Sequence, residues 1–255
     1  MIDCLAVMIP MDWMPYTLAL VIGLIVVVQS LFGIGVLFFG TPILMVFGMP
    51  FYQILALLLP ISFVINALQT VMGWRQIQWG MVKRFLLCAL FPVVLSTFLL
   101  EGINGLFWLP MVIALSLIFF SVGYYFNAFP STIAQWMNHE KTYFVSLGLI
   151  HGLTNLGGAL LSSFMIARFP DKYISRATTA VCYGVLVFVQ FLSLSTNTTF
   201  MAAIGIQKLW FVLLALLVFF TANRWLFFRF SDRAFKKVFG GLLLLIAILL
   251  VLRNM

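Results

Sequence analysis

Two long apolar segments, each interrupted by glycines near its middle, constrain this chain more than anything else in it. The first carries Gly33-Ile34-Gly35 and Gly40-Thr41-Pro42 and closes on Gly48-Met49-Pro50. The second carries His151-Gly152-Leu153-Thr154-Asn155-Leu156-Gly157-Gly158 and closes on Phe169-Pro170. They lie about 120 residues apart, and plain apolar segments follow each. A chain in lipid must satisfy its backbone polar groups internally, so a helix broken at membrane depth is tolerated only inside protein or beside a polar cavity. Two such breaks in corresponding places are a sequence pointer to a transporter binding site.

Composition excludes a soluble globule. Of 255 residues 64% are hydrophobic and only 8% charged, where soluble domains carry about 25% charged residues. Mean hydropathy is +1.18. The apolar runs fill most of residues 1–255, which read as a single membrane domain with the lipid bilayer as its surroundings. The net charge of +8 is scattered in short loops, where it orients the chain; no extended basic surface for nucleic acid accompanies it. Cys4, Cys88 and Cys182 stand alone, without metal-ligand spacing, and read as packing residues. The first residues carry Asp3 and Asp12 and lack the basic region of a cleaved signal peptide, so the start is expected to stay in the mature protein.

The apolar segments run from Tyr16 to Phe47, Tyr52 to Trp74, Phe85 to Leu100, Leu106 to Phe126, Tyr143 to Phe169, Ala177 to Ser195, Leu209 to Phe228 and Val238 to Leu252. The sequence thus predicts an all-α polytopic membrane protein of about eight hydrophobic segments in two four-segment repeats, 1–130 and 140–255. The polar stretch from Asn127 to Thr142 marks the boundary. In each half a glycine-broken segment and a proline turn precede three plainer helices, and aligning Pro50 with Pro170 brings Gly35 within two positions of Gly157.

Charge tests how the broken segments run. If all eight segments span, six basic residues fall on one side and eight on the other, with no bias. If Tyr143 to Phe169 enters and leaves on the same side, the split becomes twelve against two, with only Lys208 and Arg253 on the poor side. The second pattern follows the cytoplasmic excess of Lys and Arg usual in membrane proteins. The segment's 27 residues are too few for two crossings of about 20 residues each but enough for two half-helices meeting at Asn155 to Gly158. Segment 5 is therefore read as re-entrant; if segment 1 behaves like it, each half is one hairpin plus three spans and the halves are inverted, with full spanning of both segments the open alternative.

Glycines at a break leave backbone N–H groups at half-helix N-termini, where the helix dipole favours a small anion. Gly33, Gly35, Gly157 and Gly158 are the first candidate substrate contacts, against the simpler reading of close helix packing. Thr41 and Asn66, with Gln29 and Ser30, are the polar side chains around the first break; His151, Thr154 and Asn155, with Ser162 and Ser163, surround the second. His151 titrates nearest neutral pH. Arg176 is placed to draw an anion toward the second break or to anchor the chain at the membrane surface.

Missing residues narrow the chemistry. The six acids, Asp3, Asp12, Glu101, Glu140, Asp171 and Asp232, all fall at segment ends or in loops. No carboxylate relay crosses the membrane, no serine–histidine constellation stands out, and nucleotide motifs are absent. No enzyme activity, catalytic residue, metal site or cofactor is expected.

The residues also resemble a known family. Gly33-Ile34-Gly35, Pro42 and Gly48-Met49-Pro50 are similar to the glycine-rich signature of the sulfite exporter TauE/SafE family, and Gly152 to Gly158 with Arg176-Ala177-Thr178 resembles its second repeat. The resemblance implies a multi-pass permease of the bacterial inner membrane that moves sulfite, sulfonates or related small organic anions. Val36 and Leu37 depart from it where later glycines are expected, as do Leu57 to Pro60 after the first turn. The expectation is a secondary transporter for a small anionic solute; the rivals are a non-transporting membrane subunit or assembly factor, and an intramembrane enzyme acting on lipid. Substrate, direction, coupling ion and any homo-oligomer are open at this level.

Overall fold

In the computed structural model, the described residues are 14–32, 35–102, 108–125, 135–169, 171–205, 208–225, 241 and 244–253. Gly33, Cys4, the acids Asp3 and Asp12, Pro170, the boundary from Asn127 to Pro130 and the basic cluster from Arg229 to Lys237 lie outside them. Among the described residues the fold is all helical, with no strand.

The first broken segment forms α1 (Met14–Phe32) and α2 (Val36–Val46), and α3 (Phe51–Met72) follows Pro50. A single 3-10 turn, Trp74–Gln76, joins α3 to α4 (Trp79–Gly102); α5 is Leu109–Tyr125. The second broken segment forms α6 (Glu140–Thr154) and α7 (Gly157–Arg168), followed by α8 (Lys172–Leu194). Then come the short α9 (Thr198–Ala203), α10 (Leu209–Trp225) and α11 (Leu244–Arg253). Three of the described helices, within α3, α4 and α8, are long and apolar enough to cross a membrane; the others are shorter.

Several of these helices begin earlier than hydropathy alone marks them. Lys83 and Arg84, read from sequence as loop residues, sit in the opening turns of α4, and Arg176 lies in the second turn of α8 rather than at its start. Asp171 explains the α8 start: its carboxylate accepts from the N–H groups of Tyr173 at 2.7 Å and Ile174 at 3.2 Å, satisfying donors that a helix leaves open at its first turn.

The outside of the bundle is apolar and part of the inside is polar. On α4, Leu87, Phe91, Leu95 and Phe98 are exposed at helical spacing, a face suited to lipid rather than water. Ser62, Asn66 and Gln69 on α3 are buried, as are Thr178, Thr179 and Gln190 on α8.

Contacts fix the directions of the helices. Ala177 packs where a side chain on Gly73 would stand, Gly184 faces Asn66, and the rings of Phe63 and Phe188 lie 5.4 Å apart. Helices α3 and α8 are therefore antiparallel. Helices α4 and α6 run parallel: Arg84 pairs with Glu140 at 3.6 Å, Phe85 meets Phe144, and Gly148 and Gly152 lie against Ala89 and Ser96. The two α6 glycines, spaced four apart, let the backbones approach as small residues do in membrane bundles.

Both broken segments fold back on themselves. Tyr143 Oη donates to the Leu160 carbonyl at 2.7 Å, and Phe164 stacks near Tyr143 and Phe144. A continuous helix would hold Tyr143 and Leu160 about 25 Å apart. Helix α7 thus returns alongside α6. In the first segment a side chain on Gly40 would lie 3.0 Å from Ile25 Cδ1, where a continuous helix would separate them by about 22 Å.

These directions gather the chain at two ends of the bundle. The α3–α4 turn and the starts of α6 and α8 lie at one end, tied by the Arg84–Glu140 pair and by the Gln78 N–H donating to Thr178 Oγ1 at 3.1 Å. The opposite end holds the start of α3, where Lys208 Nζ donates to the carbonyls of Ala203 at 2.6 Å and Gln53 at 3.5 Å. Arg253 donates there to the carbonyls of Met45 and Val46, the last residues of α2.

Candidate functional site

The two breaks are built alike. At the first, the Val36 N–H donates to Gln29 Oε1 at 2.8 Å, so a side chain replaces the carbonyl that a continuous helix would offer. A β-carbon on Gly35 would stand 2.8 Å from the Gln29 nitrogen and 3.1 Å from the Ile25 carbonyl oxygen. At the second, a β-carbon on Gly157 would stand 2.5 Å from His151 Cβ and 3.1 Å from the Leu147 carbonyl oxygen. In both, the glycine sits on the residue six positions earlier and against the carbonyl ten positions earlier. Each helical return needs a residue without a side chain where it crosses the outgoing helix.

The second turn is made at Asn155, which is left-handed at φ 61°, a conformation asparagine accepts more readily than most residues. Its N–H donates to the His151 carbonyl at 2.8 Å, and Thr154 Oγ1 accepts from the Leu156 N–H at 3.2 Å. Its side chain then ties the hairpin to two other helices. Asn155 Nδ2 donates to Thr41 Oγ1 on α2 at 3.4 Å, and Asn155 Oδ1 accepts from Gln190 Nε2 on α8 at 2.8 Å. The first break has a comparable tie: Gln69 Nε2 on α3 donates to the Gln29 carbonyl at 3.0 Å.

Gln69 and Gln190 therefore hold opposite breaks. The α3–α8 pairing sets Gln190 level with the middle of α3, near Pro60, so the two ties are about 13 Å apart along the helix axes. Between them lie His151, whose ring meets that of Tyr183 at 5.2 Å, and Gly158, against which the Tyr183 ring rests. Asn66 is near, with Gly184 against its Cβ and its amide donating to the Ser62 carbonyl at 2.7 Å.

Polar atoms without partners concentrate here. Gln29 Nε2, Asn66 Oδ1, Gln69 Oε1, Gln190 Oε1, Thr179 Oγ1, Ser162 Oγ, Tyr183 Oη and both ring nitrogens of His151 are buried without a hydrogen-bond partner. Native proteins pair the great majority of such atoms, and an unpaired one costs about 1–3 kcal/mol. Their grouping at the hairpin tips is what a site for a polar solute requires.

Of the residues singled out by sequence, the structure brings together Thr41, Asn66, His151, Thr154, Asn155, Gly157 and Gly158, with Gly35 at the other break. Gly33 lies outside the described residues. Arg176 does not join them: it stands two turns from Tyr183 along α8, about 10 Å toward the basic end. Gln69, Thr179, Tyr183 and Gln190 were missed. Their signal was present, since Thr179, Tyr183 and Gln190 recur at spacings of four and seven in an apolar helix, all on one face.

A family model described as sulfite exporter TauE/SafE matches residues 18–250, nearly the whole chain. No curated protein and no solved structure matches it.

Proposed function

Because the chain belongs to the sulfite exporter TauE/SafE family, a family of membrane transporters, we propose that it is a secondary transporter for a small anion such as sulfite, a sulfonate or a related organic anion. The observation that carries this reading is the set of buried, unpartnered polar atoms between the two hairpin tips. Gln29 Nε2 and the hydroxyls of Ser162, Thr179 and Tyr183 can donate, as can one ring nitrogen of a neutral His151, and helices α2 and α7 both begin at the breaks, so their N-terminal dipoles are directed there. Gly35, Gly157 and Gly158 then shape the breaks by close packing, while the solute is met by side chains.

The reading includes two inverted repeats, 1–130 and 140–255. Three relations support it: the matching geometry of Gly35 on Gln29 and Gly157 on His151, the ties from Gln69 and Gln190, and the packing of α1 on α10 beside that of α6 on α4. It also includes an orientation. Among the described residues, Arg75, Lys83, Arg84, Lys141, Arg168, Lys172 and Arg176 belong to one end of the bundle, and Lys208 and Arg253 to the other. We assign the first end to the cytoplasm of a bacterial inner membrane.

The glycine contacts also suit a packing subunit that moves nothing, so the test uses side chains that pack without bonding. Thr179→Val and Tyr183→Phe keep shape and remove hydroxyls that have no partner. In liposomes, wild type is expected to show saturable flux of labelled sulfite or methanesulfonate, which both variants lower at least tenfold with thermal stability unchanged or raised. Equal flux in all three, or none in well-folded wild type, overturns the reading.

A further inference from the structure

We infer that His151 carries a proton across the membrane together with the anion, so that the solute moves as a neutral pair. The inference deepens the anion-transport reading and rests on it.

The His151 ring is fully buried, and neither Nδ1 nor Nε2 has a partner. An imidazole offers a donor and an acceptor when neutral and two donors when charged, so a buried ring with both nitrogens open is incomplete as a purely structural element. It stands at the tip of the α6–α7 hairpin, one turn before the left-handed Asn155. The Tyr183 ring lies 5.2 Å away at 63° to the imidazole, the edge-on arrangement of an aromatic pair.

No other described side chain at this depth can become positive. From α4 the nearest polar groups are Ser96 and Thr97, with no charged residue between Phe85 and Leu100. Helix α7 brings Ser162 and Ser163, and its Arg168 lies eleven residues past Gly157 at the basic end. Helix α8 brings Tyr183 and Cys182, titratable only toward negative charge, and no charged residue between Ala177 and Leu194. Helix α3 brings Asn66; α2, α3 and α5 contain no charged residue at all.

An anion entering this site is stripped of water without meeting a resident cation. Neutral donors recover only part of that desolvation, and a counter-charge hydrogen-bonded to the anion recovers more of it. His151 supplies it without a permanent buried charge. When the site faces the loading side, a proton from water bonds to one ring nitrogen and the anion settles against the imidazolium. When the site faces the other side, that N–H bond breaks, the proton returns to water and the anion leaves. No electron is transferred, and the empty site returns neutral.

The test uses methanesulfonate, which stays ionised near neutral pH, so any proton moved with it travels on the protein. Purified wild type in liposomes holding a pH-sensitive dye, with the membrane potential clamped by potassium and valinomycin, receives an inward methanesulfonate gradient. The expected result is one proton entering per anion, and uphill anion uptake when an inward proton gradient is imposed. His151→Gln should abolish the proton movement and the uphill uptake. Wild-type anion flux without proton movement overturns the proton coupling and leaves anion transport standing; no flux of any tested anion from folded protein overturns both. A His151→Gln variant that still moves one proton per anion also overturns the assignment. If that variant fails to fold, the wild-type stoichiometry decides alone.

Discussion

Gly157 rests directly on His151: a β-carbon on the glycine would stand 2.5 Å from the histidine's own Cβ. Alanine there forces the hairpin apart. Gly157→Ala is expected to lower stability by about 1–3 kcal/mol, the usual cost of overpacking, read as a reduced midpoint in thermal unfolding in detergent. Gly35→Ala should do the same through Gln29. Gly80→Ala, where nothing lies within 4 Å, should leave the midpoint unchanged or raised.

Asn155 combines a backbone task and a side-chain task that substitution can separate. Asn155→Gly keeps the left-handed turn and removes the bonds to Thr41 and Gln190, for an expected loss of about 1 kcal/mol each. Asn155→Val adds a left-handed penalty of about 1–2 kcal/mol. The order of thermal midpoints should be wild type, glycine, valine; a valine variant as stable as the glycine one would mean that the turn relaxes.

Sidedness follows from the fold-back of α7 along α6. In a cysteine-free background, single cysteines at Asn138 and Asp171 should react with an impermeant reagent from the same side, and one at Ser195 from the other. Labelling of the first two from opposite sides would mean that the α6–α7 segment crosses the membrane instead.

Arg253 caps α2 by donating to the Met45 and Val46 carbonyls, and its guanidinium fills the space beside Gly48. Arg253→Ala should cost about 1 kcal/mol, since the Val46 carbonyl at the helix end loses this donor while the Met45 carbonyl keeps the Gly48 N–H. The exposed Arg84–Glu140 pair offers a contrast. Glu140→Gln should shift stability by less than about 1 kcal/mol.

The backbone plan was largely legible because lipid makes it so. A chain this apolar must bury its backbone polar groups in helices, so the all-helical plan and its membrane-length segments follow from composition and run length. Helix starts were less legible, since Lys83, Arg84 and Arg176 look like loop residues until Asp171 and the neighbouring helices are seen to hold them in helical turns. The site was read too narrowly around the breaks themselves. Gln69 and Gln190 sit far from any glycine in sequence and become relevant only because α3 and α8 pack beside the tips. Arg176 was a candidate for its charge beside the anchor role, and distance along α8 sets it apart from Tyr183.

The α3–α8 pair acts as a beam that carries two clamps about 13 Å apart along its length. Gln69 grips the first tip and Gln190 the second, from helices zipped together over most of their length. Because both clamps ride on one pair of helices, any tilt of that pair moves the two tips together.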